Sequence, residues 1–172
     1  AFSAAELLGV DPVSFSDIAK KLPVVCGRAE KTEKDGISVY IDFAHTPEAL
    51  QAVLSSLKRI TGGRLFCVFG CGGNRDKSKR PLMGEIAARY SDFVVITSDN
   101  PRFENPTGIS EDILKGIRSK KNVIRENDRE EAIRLALSKA KAGDTVLIAG
   151  KGHEEYQLIC GKKYIFSDKL TV

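Results

Sequence analysis

Four short clusters of polar residues stand in this sequence directly after apolar runs that are typical of buried strands. The clusters are DFAH at 42–45, FGCGGNRDKSKR at 69–80, SDNPR at 98–102 and AGKGHE at 149–154. In an open sheet of parallel strands, ligands bind beyond the carboxyl ends of the strands. Polar loops are common at strand ends, but four such clusters along one edge predict a binding site for a charged small molecule.

The SDNPR cluster combines an acid, an amide and an arginine around one proline. Pro101 pushes Asn100 into an extended conformation, and Arg102 follows with a planar guanidinium that carries five N–H donors. An amide and a guanidinium on a stiffened loop suit a carboxylate that carries an amine nearby. The alternative is an ordinary turn in which Asp99 pairs with Arg102, and the local sequence leaves both interpretations open.

The glycine-rich cluster at 69–80 has the composition of an anion-binding loop. Its glycines allow backbone N–H groups to approach an anion, and Arg75 has the geometry to hold a carboxylate with two parallel hydrogen bonds. The alternative is a solvated turn with Lys79 and Arg80 on the surface, and we expect Lys77 and Lys79 to be solvated. The spacing fits neither GxGxxG nor GxxxxGK[ST], so it supports neither a nicotinamide cofactor nor a complete phosphate loop.

Three further places carry candidate residues. Gly150 lies in a loop suited to close approach, and Glu154 offers an acceptor for an ammonium group. Asp42 and His45 end the first strand, where His45 either contacts a ligand or makes a hydrogen bond at the start of the next helix. Arg28 lies in a polar segment, from which an arginine could reach the phosphate of a neighbouring domain.

Alternating strands and helices must position these clusters. Apolar, β-branched runs predict strands at 37–44, 64–70, 93–97, 122–126 and 144–150, and helical periodicity predicts helices at 47–60, 81–90, 110–118 and 128–142. Residues 155–166 predict a hairpin that turns at Gly161, and residues 22–36 have the composition of a linker. The predicted fold is α/β: a Rossmann-like, mostly parallel sheet with helices on both faces and an antiparallel edge strand from the C-terminal hairpin.

Composition excludes several classes of protein. A net charge of +4 with only 7% aromatic residues argues against a nucleic-acid partner, and no run is long enough to insert into a membrane. The four cysteines form neither a disulfide framework nor a zinc pattern, so we expect no metal site and a reducing, cytoplasmic location. We also expect a monomer, and a chain cut from a longer protein, because it begins with Ala and a helix-like segment.

The four clusters, in this order and spacing, resemble the C-terminal part of the Mur ligases. The resemblance is carried by DFAHTPEAL, FGCGGNRDKSKRPLMGEIA, SDNPR and IAGKGHEEYQ, and it is greatest to the members that add meso-diaminopimelate in peptidoglycan synthesis. Two small departures from the family pattern are Asn74, where many members have Asp, and Phe43, where many have Tyr. The resemblance implies that residues 1–24 are the tail of a central ATPase domain and that 25–172 are the amino-acid-binding domain.

The resemblance also implies an activity and a set of site residues. It implies ATP-dependent amide synthesis, in which the carboxylate of a UDP-N-acetylmuramoyl dipeptide becomes an acyl phosphate and the amine of diaminopimelate attacks it. ATP and Mg²⁺ would be held mainly by the central domain, with no catalytic residue in this fragment. The family's diaminopimelate contacts correspond to Arg75, Asp99, Asn100, Pro101, Arg102, Gly150 and Glu154, and its ATP-associated residues to Arg28, Asp42 and His45.

Two other functions remain open at this point. One is a regulatory α/β module that binds an anionic amino acid without catalysis. The other is an amide ligase of folate polyglutamylation, which shares the architecture. The SDNPR cluster favours the diaminopimelate ligase, because a guanidinium and an amide would bind the second carboxylate that distinguishes diaminopimelate from lysine. A site of this kind rejects the analogue that lacks the group by roughly four to five orders of magnitude.

Overall fold

A computed structural model describes residues 9, 11 and 25–172 of the chain. The expectation for residues 1–24 therefore lies outside the described residues, apart from positions 9 and 11. Within residues 25–172, eight strands and five helices are present. The strands are β1 Glu30–Lys34, β2 Ile37–Asp42, β3 Leu65–Phe69, β4 Phe93–Ile96, β5 Val123–Arg125, β6 Thr145–Ala149, β7 Tyr156–Ile159 and β8 Lys162–Ile165. The helices are α1 Pro47–Ile60, α2 Lys79–Tyr90, α3 Pro106–Leu114, α4 Arg129–Lys139 and α5 Asp168–Thr171.

The main sheet confirms the predicted α/β fold. Its strand order is β1-β2-β6-β3-β4-β5, and every pair from β2 to β5 is parallel. Successive residues of a strand point to opposite faces, so Cys67 packs with α1, α2 and α3 on one face, while Phe66 packs with α4 on the other. Helices therefore cover both faces, as predicted, and the strands are apolar along their whole length because neither face meets water.

The antiparallel edge strand exists, but its predicted source was wrong. It is β1, which lies in the segment that the sequence indicated as a linker, and it pairs with β2 through the turn at Asp35 and Gly36. Both turn residues have positive φ, 51° and 75°, as a two-residue hairpin with the strand twist requires. The charged sequence EKTEK suits an exposed edge, where lysines discourage pairing with other chains, and the same charges concealed the strand in the sequence.

The C-terminal hairpin forms a small sheet of its own instead of joining the main sheet. β7 and β8 pair antiparallel around Cys160 and Gly161, as predicted. β7 lies beside the loop that follows β4, where the backbone N–H of Arg102 donates to Leu158 O (2.9 Å) and that of Cys160 donates to Arg102 O (2.7 Å). The hairpin therefore supports the SDNPR cluster.

Local capping signals set where the helices begin. α1 begins as predicted, because the Thr46 side chain accepts a hydrogen bond from the N–H of Ala49 and Pro47 occupies the first turn. α3 begins four residues earlier than predicted, because Asn105 and Pro106 repeat this cap-and-proline pattern. The earlier start brings the helix directly after the SDNPR cluster.

Candidate functional site

A cleft of about 200 Å³ opens at the carboxyl ends of β2, β6, β3 and β4, which are adjacent in the sheet. It is lined by Phe43, His45, Gly72, Arg75, Lys79, Asp99, Asn100, Arg102, Gly150 and Glu154. All the predicted diaminopimelate contacts except Pro101 line it, as does His45. The clusters meet because parallel strands place their carboxyl ends at one edge of the sheet. The cleft is smaller than the roughly 300–1,000 Å³ of drug-sized ligand sites, so it suits a ligand the size of an amino acid.

The backbone of the SDNPR loop is held in an uncommon conformation. Arg102 has a φ of +54°, in the left-handed region that residues other than glycine rarely adopt. Its N–H and C=O groups are both paired with the β7 hairpin, so the surrounding structure maintains this conformation. Such strained residues cluster at functional sites, where the strain is a part of the arrangement that holds the ligand.

The guanidinium of Arg102 lies between the SDNPR loop and the glycine-rich loop. Nη1 donates to Gly73 O at 2.9 Å and to Asn100 O at 3.4 Å, and Nε and Nη2 have no hydrogen-bond partner within the described part of the chain. Asp99 forms no ion pair with Arg102 among these residues. The ordinary-turn alternative of the sequence analysis therefore does not describe this loop, and one edge of the guanidinium is available to a ligand.

Asn100 belongs to a compact polar cluster with Lys151 and Glu154. Its Nδ2 donates to Glu154 Oε2 (2.9 Å), and its Oδ1 accepts from Lys151 Nζ (3.2 Å) and from the N–H of Leu158 (2.9 Å). Lys151 Nζ also donates to Glu154 Oε2 at 3.0 Å. Burial acts to raise the pKa of Glu154, but the hydrogen bonds from Lys151 and Asn100 outweigh it and leave that pKa below its usual value. Glu154 is therefore an ionised acceptor at the cleft.

The carboxylate of Asp99 lies at the bottom of the cleft beside Gly150. Burial raises the pKa of Asp99, while the positive charges of Arg129 and Lys151 oppose that rise. Gly150 has a φ of +116°, and a Cβ atom there would lie 2.9 Å from Asp99 Oδ2. A glycine is needed at this position because the β6 loop passes directly over the Asp99 carboxylate.

The glycine-rich loop packs tightly on the SDNPR loop. A Cβ atom on Gly73 would lie 1.9 Å from Pro101 O, and the N–H of Gly73 donates to Asn100 O at 2.9 Å. Pro101 thus fixes the loop from behind while its neighbours line the cleft. Arg75 is exposed at the cleft and makes no hydrogen bond to any described residue, so its guanidinium is available for an anion, as the sequence predicts.

Two basic residues of this loop are less exposed than the sequence suggested. Arg80 is 1% exposed and donates to Glu104 (3.0 and 3.1 Å) and Asp112 (3.0 Å), which join the loop to α3. Lys79 is half-buried, lines the cleft and donates to His45 O at 2.7 Å, so the expectation that it is solvated was wrong. Both are withdrawn from water because α2 begins at Lys79 and turns these side chains towards neighbouring loops.

Glu104 carries the charge that compensates Arg80. The hydrogen bonds from Arg80, together with one from the N–H of Asn74, lower the pKa of Glu104 to about 2. Asn74 adopts a φ of +52°, which an Asn tolerates well, and its Oδ1 accepts from the N–H of Phe103. These hydrogen bonds join the glycine-rich loop to the segment that follows the SDNPR cluster.

The residues predicted to be associated with ATP occupy the end of β2. Both carboxylate oxygens of Asp42 accept backbone N–H groups, from Ala44 and from Ala29, each at 2.7 Å. The guanidinium of Arg28 lies 4.9 Å from the ring centre of Phe43, and His45 Nδ1 lies 2.8 Å from Phe43 O. Of the three, only His45 lines the cleft.

A buried ion pair lies beneath the two loops that follow β4 and β6. Arg129, at the start of α4, donates to both carboxylate oxygens of Asp168 (2.7 and 2.8 Å), to Ser98 O (3.2 Å) and to Ala149 O (3.0 Å). Both side chains are fully buried. The guanidinium therefore holds the backbone just after β4 and at the end of β6, immediately before Asp99 and Gly150.

Residues 9, 11 and 25–172 contain no group of three or more His, Cys, Asp or Glu side chains placed to hold a metal ion. No helix among them has the length and apolar character needed to cross a bilayer.

Comparison with known proteins identifies the family of this chain. Residues 27–152 match the family model described as Mur ligase, glutamate ligase domain, and the chain belongs to the Mur ligase family. It is 51% identical over 164 residues to the UDP-N-acetylmuramoyl-L-alanyl-D-glutamate–2,6-diaminopimelate ligase of Aquifex aeolicus, a match that covers 95% of this chain and 34% of that protein. The ligase of the same name from Clostridioides difficile is 48% identical over 169 residues, covering 97% and 35%.

Solved structures agree with the family assignment. A structure of a UDP-N-acetylmuramoyl-L-alanyl-D-glutamate–2,6-diaminopimelate ligase superposes with a TM-score of 0.81 at 43% identity, covering 99% of this chain and 35% of that one. A bifunctional folylpolyglutamate synthase/dihydrofolate synthase from Yersinia pestis shares the fold alone, with a TM-score of 0.59 at 20% identity over 76% of this chain and 29% of that one. The resemblance to the Mur ligases is thus confirmed, and the chain spans about a third of the length of these curated relatives.

Sequence reasoning missed three charged residues that shape the site. Lys151, Arg80 and Arg129 are each at most 1% exposed, although charged side chains are rarely buried unless they are paired. Each has a partner 24 to 51 residues away along the chain, Glu104 for Arg80, Asp168 for Arg129 and Asn100 for Lys151, and no local pattern pointed to these contacts. The available signal was their position, because Lys151 and Arg80 belong to the strand-end clusters themselves.

Proposed function

We propose that this chain is the amino-acid-binding domain of an ATP-dependent ligase. That ligase adds meso-diaminopimelate to UDP-N-acetylmuramoyl-L-alanyl-D-glutamate during peptidoglycan synthesis. The names of the relatives support this proposal. The observation that carries it is a single small cleft lined by two carboxylates, Asp99 and Glu154, and by two guanidinium groups, Arg75 and Arg102. Such a lining complements a ligand with more than one ammonium and more than one carboxylate group.

The proposed contacts follow from the chemistry of the side chains. Glu154 and Asp99 would accept hydrogen bonds from an ammonium group, near Gly150, where the β6 loop approaches the ligand. Arg75 and the free edge of Arg102 would donate to carboxylates, since guanidinium groups bind carboxylates through two parallel hydrogen bonds. The amide of Asn100 and the ring of Pro101 would fix the loop that presents Arg102.

This arrangement accounts for a preference for diaminopimelate over lysine. Lysine lacks the carboxylate beside the distal ammonium, so Arg102 would be left beside the ligand without its partner. A site built to bind a group rejects the analogue that lacks it by roughly four to five orders of magnitude, because its polar groups remain unpaired. The free edge of Arg102 is the feature that supports this explanation.

ATP and Mg²⁺ belong mainly to the rest of the protein in this proposal. The 172 residues contain no GxxxxGK[ST] motif, and ATP would supply the phosphoryl group that activates the dipeptide carboxylate. Arg28 and His45 fit a contact with a phosphate, because both are exposed at the end of β2. Asp42 fits a positioning role instead, since its oxygens hold the backbone of the segment that carries Arg28.

The proposal also covers the organisation of the whole protein. Residues 1–24 would end a central ATPase domain, and residues 25–172 would deliver diaminopimelate to the UDP-N-acetylmuramoyl dipeptide held by that domain. Closure of one domain over another is a common way to complete a site and to exclude water. A monomer in the cytoplasm, where ATP is supplied, fits this reaction.

A ligation assay with the full-length protein tests the proposed function. The assay supplies ATP, Mg²⁺ and the UDP-N-acetylmuramoyl dipeptide, and compares meso-diaminopimelate with L-lysine and L-glutamate as the amine. We expect ligation of meso-diaminopimelate, and we expect Arg102→Ala to raise its KM. Loss of a hydrogen bond to a charged group costs about 1.5–3 kcal/mol, which corresponds to roughly ten- to a hundredfold in KM.

Arg118→Ala is the matched control for this experiment. Arg118 is an exposed arginine beyond the far end of α3, away from the cleft, and its replacement should leave KM unchanged. Ligation of L-lysine or L-glutamate in preference to meso-diaminopimelate would contradict the proposed substrate. An unchanged KM in Arg102→Ala would remove Arg102 from the site.

A further inference from the structure

We propose that Lys151 is a positioning residue for the amine-binding side of the cleft: its buried ammonium fixes the Glu154 carboxylate and allows two carboxylates to stand together at the ligand. Neither the family motifs nor the names of the relatives assign a role to this lysine. The inference rests on the proposed function, because it concerns how the same cleft binds the ammonium group of an amino acid.

The geometry around Lys151 supports a positioning role. Its side chain is fully buried, whereas that of Glu154 is 21% exposed at the cleft. Within the described chain, the hydrogen bonds to the Glu154 carboxylate come from Lys151 and Asn100, and both end on Oε2. Lys151 and Asn100 thus hold one oxygen of Glu154 and leave Oε1 for a ligand. Lys151 itself does not line the cleft, so it acts through Glu154 and Asn100.

The balance of charge explains why a buried cation is needed here. The negative charge of Glu154 raises the pKa of Asp99, because the two carboxylates repel each other within the same small volume. Arg129 also faces Asp99, but its charge is matched by Asp168 through two hydrogen bonds. Lys151 is therefore the cation that offsets this pair from within the protein.

Other charged and aromatic groups also surround the cleft. Arg102, on the SDNPR loop, acts on Glu154 from the carboxylate-binding side, and Tyr156 of β7 lies under the Lys151 ammonium at 5.7 Å. Arg75, Lys79 and His45 line the cleft from the other two loops. On the amine-binding side of the cleft, the carboxylates of Asp99 and Glu154 carry two negative charges, and the buried ammonium of Lys151 offsets one of them. The ammonium group of a bound amino acid would offset the other.

The test measures how the KM for meso-diaminopimelate depends on pH in the full-length enzyme that carries Lys151→Met. Without the lysine, burial and repulsion from the Asp99 carboxylate should raise the pKa of Glu154, since burial and a nearby like charge both favour the neutral form of a carboxyl group. A raised pKa means that Glu154 gains a proton as the pH falls, and a protonated Glu154 no longer attracts an ammonium group. KM should therefore rise as the pH falls through the new pKa, by up to ~10-fold for each pH unit below it. The wild-type KM should lack this dependence, because its Glu154 pKa is low.

Lys163→Met is the matched control. Lys163 lies over the same Tyr156 ring, at 4.6 Å, but it is exposed on β8 and contacts no residue of the cleft. Its replacement should leave both KM and its pH dependence unchanged. A rise in KM for Lys151→Met that is equal at every pH would indicate a packing role only and would overturn the inference, as would an unchanged KM.

A second variant covers the case in which Lys151→Met does not fold. Lys151→Met combined with Glu154→Gln removes both charges of the pair, and because Lys151 acts through Glu154, its KM should equal that of Glu154→Gln alone at every pH. A KM for the double variant more than about threefold above that of Glu154→Gln alone would overturn the inference. Failure of the proposed function is a separate result, since the wild-type enzyme would then not ligate meso-diaminopimelate at all.

Discussion

The buried ion pair between Arg129 and Asp168 leads to a prediction for Asp168→Asn. The substitution keeps the size of the side chain but removes its charge, so the Arg129 guanidinium stays fully buried without an anion that neutralises it directly. Breaking a buried pair by removing one partner costs about 3–5 kcal/mol. The total free energy of unfolding of a domain is about 5–15 kcal/mol, so the change removes a large part of it.

The magnitude can be measured by equilibrium unfolding in urea. We expect the free energy of unfolding to fall by about 3–5 kcal/mol, and the melting temperature to fall by about 2–4 °C for each kcal/mol in a domain of this size. The loss should also reach the site, because Arg129 holds Ser98 O and Ala149 O, which precede Asp99 and Gly150. A higher KM for meso-diaminopimelate in the full-length enzyme should accompany the loss of stability.

Glu130→Gln provides the control on the same helix. Glu130 pairs with Arg134 at 2.6 Å, but both side chains are about half exposed. Exposed ion pairs contribute little to stability, so this variant should unfold close to the wild type. If Asp168→Asn unfolded at the same urea concentration as Glu130→Gln, the argument that burial makes the Arg129 pair essential would be refuted.

Two further predictions concern the loops around the cleft. Gly73→Ala should raise the KM for meso-diaminopimelate, because the added Cβ would lie 1.9 Å from Pro101 O and one of the two loops must move. Gly108→Ala is the control, since a Cβ there would have no atom within 4 Å and should leave KM unchanged. Equal KM values for the two variants would contradict the close packing of the loops. Glu104→Gln should weaken the acid dependence of stability: the lowered pKa of Glu104 stabilises the fold above about pH 4.5 and ceases to do so as the pH falls through about 2. Melting temperatures measured from pH 2 to 5 would test this, and parallel curves for variant and wild type would count against it.

Much of the fold could be predicted from the sequence because its signals are local. Buried parallel strands are apolar throughout, and a Thr or Asn followed by Pro marks the start of a helix, as at Thr46 and Pro47. The same rule would have placed the start of α3 at Pro106, had Asn105 been recognised as its cap. β1 was missed because an exposed edge strand carries charged residues and has no apolar pattern, although its Asp35–Gly36 turn was visible in the sequence.

The sequence by itself determined which residues gather at the cleft, because strand ends in a parallel sheet share one edge. It could not determine which charges are buried there. Lys151, Arg80 and Arg129 belong to residue types that usually lie at the surface, and only the tertiary structure brings them to Asn100, Glu104 and Asp168. The physical reason is that a charged side chain can leave water only when a partner compensates it, and that partner is chosen by the packing of distant segments.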